Sequence, residues 1–128
     1  MKYKFLDNEF AHMEIKNNIL YVNLKKKEIN HRVAQKIVDL RLAFVEGQDL
    51  PILIEGLAVR DITKGAREVL SSKEANQHAL ALAVIVQNPV TRTIANFFLR
   101  FQHPPYPSKL FNDRESAEEW LRLYLPKS

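Results

Sequence analysis

The sequence predicts an α/β fold, an open mixed β-sheet entered through an N-terminal hairpin, with helices packed against it. Three observations lead there. Apolar residues alternate on either side of an Asn17-Asn18 pair; two short apolar runs, Leu50–Glu55 and residues 79–86, read as buried strands; and the segments that follow them repeat their apolar residues at helical spacing.

The hairpin comes first. In Ala11–Lys16, Met13 and Ile15 share a face; Asn17-Asn18 suits a turn tolerant of positive φ; and in Ile19–Leu24, Leu20, Val22 and Leu24 alternate with Ile19, Tyr21 and Asn23. Asn30 is a credible N-cap for a helix over residues 31–46, and Gly47 suits its stop. On that helix Val33, Ile37, Leu40 and Phe44 form one stripe, which Ala34, Val38, Leu42 and Val45 widen beyond what one sheet-facing side needs. The surplus implies a second neighbour, a helix or another subunit. Arg41 falls inside the arc and is expected to lay its stem on the core edge with its charge in solvent.

Leu50–Glu55 reads as an interior strand, and Gly56 frees the backbone after it. Asp61 or Thr63 can cap a helix over residues 64–70, and Ser71 with Glu74 makes a capping-box pattern for a second short helix. Residues 79–86, ALALAVIV, read as another central strand, broken by Asn88-Pro89. In the helix expected over residues 90–102, Val90, Ile94, Phe97, Phe98 and Phe101 form an aromatic inner face, and Ala95 and Leu99 point to a second contact surface. The HPPYP segment from His103 is not helical, and a cis X-Pro bond is one of its options. A short edge strand at residues 109–111 and a helix capped by Asn112 with Glu115 close the chain, with Ala117, Trp120, Leu121 and Tyr124 facing inward.

At 128 residues the chain can bury one core without staples, and a single domain over residues 1–128 is expected. The absence of Cys excludes disulfides, thiolate nucleophiles and Cys-based metal sites. No signal peptide opens the sequence and no apolar run approaches the length of about eighteen needed to span a membrane, so a cytoplasmic location without a membrane span is expected. The net charge of +4 is spread over scattered Lys and Arg; Lys25, Lys26 and Lys27 read as a solvated strand end, and no nucleic-acid partner is expected. Glycine-rich phosphate loops, a nucleophile elbow and a His-Glu-x-x-His helix are all missing. His12, His31, His78 and His103 lie in different elements without metal spacing. No catalytic residue, metal site or cofactor is therefore assigned, and a non-enzymatic protein is expected.

The order of elements, with PILIEGLAVRDITKGAREVLSS, TRTIANFFLRFQHPPYPSKLF and the closing SAEEWL, resembles the STAS and anti-sigma-factor-antagonist-like fold, specifically small bacterial proteins described as STAS/SEC14-domain-like. The resemblance spans nearly the whole chain. In the signalling antagonists of that wider family an Asp-Ser-Ser-Gly turn carries a phosphorylated serine. The matching turn here is Ile62-Thr63-Lys64-Gly65, in which only the glycine is kept and Lys64 stands at the usual phosphoacceptor. The resemblance thus implies a regulatory or scaffold domain working through protein contacts, as a homodimer or with another protein, without the phosphoserine switch.

Two groups of residues are candidates for contact. Arg60, Thr63, Lys64, Gly65 and Arg67, with Glu55 at the end of its strand, form a cationic turn for an anion or a partner. Thr63 is equally a helix cap, and Glu55 equally the partner of an ion pair with Arg60 or Arg67. Phe97, Phe98, Leu99, Phe101 and Tyr106 form an apolar pocket or interface, the pocket being the alternative in which a small apolar, lipid-like or anionic ligand is bound.

Overall fold

The computed structural model describes residues 4–126, apart from the side chains of residues 101 and 102. Asn17 and Asn18 take φ of 53° and 61°, the conformation that matches strand twist, and fold β2 (Ala11–Lys16) onto β3 (Ile19–Leu24) in antiparallel register. A strand that the sequence did not predict, β1 (Lys4–Asp7), pairs antiparallel with β2. Asn8 makes its turn by accepting the amides of Phe10 and Ala11 at 2.9 and 3.1 Å. Two further short strands, β4 (Glu28–Ile29) and β6 (Asp61–Ile62), form a separate parallel ladder. β5 (Leu50–Glu55), β7 (Ala79–Ile85) and β8 (Ser108–Phe111) extend the main sheet in parallel, giving the order β1-β2-β3-β5-β7-β8.

Each parallel strand from β5 onward is added on the same side of its predecessor. Right-handed crossovers then bring α1 (His31–Val45), α2 (Lys64–Leu70) and α3 (Pro89–Gln102) to one face and leave the other to α4 (Arg114–Leu121). Strand alternation divides the core accordingly. Met13, Leu20, Val22, Ile52 and Leu82 pack with Phe44 and Val45 of α1, whereas Ile19, Tyr21, Leu53, Ala83 and Ile85 pack with Ala117 and Leu121 of α4. Fully buried leucines such as Leu20 and Leu53 each contribute about 1.5–3 kcal/mol relative to exposure.

Local chemistry sets the helix ends. The Asn30 side chain accepts the Val33 amide at 2.9 Å to start α1, and Glu46 and Gly47, with φ of 49° and 81°, end it. Thr63 caps α2, Asn88 caps α3 with Pro89 as its first residue, and Asp113, rather than the expected Asn112, caps α4. The short helix expected after Ser71 is a series of turns, in which Ser72 accepts the Ala75 amide at 3.1 Å. No cis peptide occurs among the described residues. The surplus apolar arc of α1 finds its second neighbour within the chain, because Ala34 and Val38 cluster with Ala66 and Val69 of α2. Gly65 lets the starts of α1 and α2 approach: a Cβ there would lie 3.2 Å from the Cβ of His31.

Candidate functional site

Between the sheet and its three-helix layer lies an apolar cavity of about 160 Å³. Its floor is the helix-facing side of the sheet, where alternation presents Val22 from β3, Ile52 and Ile54 from β5, and Leu82 and Val84 from β7. Ile37, Val38 and Arg41 of α1, which share a face at helical spacing, supply a wall, and Leu70, Ala75, Phe98 and Tyr106 complete it.

The orientation of α3 differs from the one its periodicity predicts. Val90 and Phe97 are 45% and 44% exposed, while Thr91 is buried and Ile94, Phe98 and Leu99 pack inward. The inner stripe is therefore turned toward Thr91. This polar residue can go inside because its hydroxyl donates to the Asn88 carbonyl at 3.1 Å. Of the expected apolar group, Phe98 and Tyr106 line the cavity, Leu99 packs against the sheet core, and Phe97 lies outside with the Arg67 guanidinium 5.0 Å from its ring centroid. The side chain of Phe101 lies outside the described residues.

Arg41 also departs from expectation. Its charge does not reach solvent: the residue is 7% exposed, and Nη2 donates to the carbonyls of Ala75 and Gln77, each at 2.8 Å. Nη1 is buried and has no hydrogen-bond partner among the described residues. Burial lowers the guanidinium's pKa, with Tyr106 nearby opposing it. The Tyr106 hydroxyl, itself raised by burial, donates to Asn76 Oδ1 at 3.0 Å. A cation inside an apolar helix arc was the signal in the sequence. What hid its burial is that the carbonyls holding it come from turns distant in sequence.

The cationic turn joins β6 to α2. Thr63 Oγ1 accepts the Ala66 amide at 3.2 Å, so the hydroxyl does cap the helix. Arg60 Nη1 donates to the carbonyls of Leu57 and Val59 at 2.6 and 3.3 Å, and Arg67 Nη1 to that of Ile62 at 2.8 Å. Lys64 is exposed. Glu55 pairs with neither Arg60 nor Arg67 but with Arg114 of α4, on the opposite face of the sheet, because strand alternation sends its side chain there. Arg114 also lies over the Tyr21 ring, 5.6 Å from its centroid, and the Tyr21 hydroxyl donates to Glu118. Burial, reinforced by Glu118, pushes the Tyr21 phenol above its ordinary value.

At the open end of the hairpin, His12 bridges two carboxylates, with Nε2 2.7 Å from Glu14 and Nδ1 3.2 Å from Asp7. The Glu14 contact is the main reason its pKa is raised. Among the described residues no group of three or more potential ligands could hold a metal ion, and no helix is long and apolar enough to cross a membrane.

No curated protein matches this chain. Among solved structures it is similar to an uncharacterized protein from the DUF3478 family with a SpoIIAA-like fold, from Shewanella loihica PV-4. The TM-score is 0.61 at 14% identity, covering 94% of this chain and 96% of that one. A protein with unknown function from Arthrobacter sp. FB24 is 25% identical, with 87% of this chain and 98% of that one covered and a TM-score of 0.34. The architecture is thus STAS/SpoIIAA-like, an open mixed sheet with helices on it, as the resemblance implied. Residues 13–125 match the family model described as "Domain of unknown function (DUF7793)", and the chain belongs to that family.

Proposed function

We propose that this protein is a non-catalytic binding domain that takes a small apolar molecule into the cavity between its sheet and helices α1, α2 and α3. The observation that carries the reading is the cavity itself: about 160 Å³ of space walled by aliphatic and aromatic side chains. Packed interiors leave few voids larger than a water molecule, and a dry void forfeits dispersion contacts along its lining. A ligand restores them. An engineered apolar cavity of about 150 Å³ holds benzene, which sets the scale of the molecule that fits.

Titration with 1-hexanol followed by amide chemical shifts tests the reading. Saturable shifts concentrated at Val22, Val38, Val84 and Phe98 are expected, and the absence of saturable shifts at those positions would contradict it.

A protein partner is the second reading, favoured by the outer side of α3, where Val90 and Phe97 stand exposed and Arg67 covers the Phe97 ring. Aromatic and arginine side chains are the residues that dominate protein interfaces. Homodimerisation through that side predicts a concentration-dependent increase in sedimentation coefficient that Phe97→Asp abolishes. A monomer at every concentration would remove the homodimer.

A further inference from the structure

We infer that the molecule bound in the cavity is a small monocarboxylic acid with an apolar body of about six carbons, its carboxylate paired with Arg41. This rests on the binding function proposed above and adds the ligand's charge and size.

Arg41 is a cavity-lining residue, more than nine-tenths buried. Two carbonyls occupy Nη2, and Nη1 has no partner among the described residues. No carboxylate of the described residues pairs with the guanidinium, and the neighbouring Tyr106 phenol, raised further by burial, is neutral at pH 7. Arginine stays protonated, so the charge persists at neutral pH. A buried cation without a counter-charge is costly, and an anion supplied from outside offsets that cost directly. The free Nη1 can donate a charge-assisted hydrogen bond to one carboxylate oxygen.

The rest of the site defines the remainder of the molecule. A bare inorganic anion would satisfy Arg41 and leave the walls of Val22, Ile52, Val84 and Phe98 unfilled. A neutral hydrocarbon would fill the walls and leave Nη1 unpaired. An acid with an apolar body does both. One guanidinium without a counter-charge favours a single negative charge over a phosphate dianion. The volume of about 160 Å³, set against the benzene-sized cavity of about 150 Å³, limits the body to roughly six carbons and excludes long-chain acyl groups lying wholly inside.

Hexanoate and 1-hexanol, titrated into the wild-type chain at pH 7.5 and followed by calorimetry and amide shifts, separate charge from burial. Hydrogen bonds to a charged group predict that hexanoate binds about 10- to 100-fold more tightly than 1-hexanol. Arg41→Met, which keeps the apolar stem, is expected to erase that difference, with hexanoate binding no more tightly than 1-hexanol to the variant. If 1-hexanol binds in the cavity and hexanoate binds no more tightly, the carboxylate assignment falls and the cavity reading stands. If neither probe binds, both fall. If hexanoate shifts only residues 60–67, the anion belongs to the cationic turn and the Arg41 assignment is overturned. The comparison of two probes on the wild-type chain decides the matter even where Arg41→Met fails to fold.

Discussion

Filling the cavity covalently should stabilise the protein. Val84 lies on the helix-facing side of β7, half-buried although it sits in a central strand, and it lines the cavity beside Phe98. Val84→Phe adds about four carbons; at about 0.8 kcal/mol per buried carbon the upper bound on the gain is about 3 kcal/mol. Lost rotamer freedom and imperfect fit take about half of it. A net gain of about 1.5 kcal/mol remains, or a rise of about 5 °C in Tm for a chain of this size. Urea unfolding followed by circular dichroism measures it, with an unchanged m-value as the check that the same transition is being read. The opposite sign refutes the reasoning. If the space is already occupied by side chains, the ring overpacks the core and costs about 1–3 kcal/mol. The same variant should lose 1-hexanol binding, so that stability and binding move in opposite directions.

Other substitutions test separate parts of the fold. Asn30→Ala removes the acceptor for the Val33 amide and is expected to cost about 1 kcal/mol in urea unfolding, with Asn30→Asp close to neutral. Thr63→Ala should cost a similar amount and Thr63→Ser little in urea unfolding, and two equally silent variants would contradict the capping role. Tyr21→Phe breaks the hydrogen bond to Glu118 and is expected to lower stability by about 1 kcal/mol. His12 should titrate in NMR with a midpoint above 6.5, since its two carboxylate partners favour the imidazolium. Because the folded pKa is raised, the stabilisation it provides is fully present below the unfolded value and is lost as pH rises through the folded one. His12→Gln should therefore flatten the decline in stability just above pH 6.5, and a midpoint at or below 6.5 would contradict the assignment.

The elements legible in the sequence were those whose signals are local. β5 and α2 begin and end where the apolar run, Gly56 and the Thr63 cap place them, and the Asn17-Asn18 turn fixes the hairpin register through backbone preference alone. β1 was missed because four residues carry little periodicity, although Asn8 offered a turn signal just after it. β4 and β6 are too short to have a pattern; pairing across the chain creates them. The face of α3 was misread because exposed Val90 and Phe97 look like core, while buried Thr91 hides its hydroxyl in a local bond. For the site, the aromatic character of Phe98 and Tyr106 was visible in the sequence. The burial of Arg41 was not, since it depends on carbonyls at Ala75 and Gln77 that only the tertiary fold brings to it.

Xenon-pressurised crystals test the existence of an accessible apolar site most directly, because xenon enters empty apolar cavities without any assumption about the ligand's head group. An anomalous peak is expected between Val22, Val84 and Phe98 and should disappear in Val84→Phe. Density for xenon elsewhere only, or a peak that survives the substitution, would contradict it.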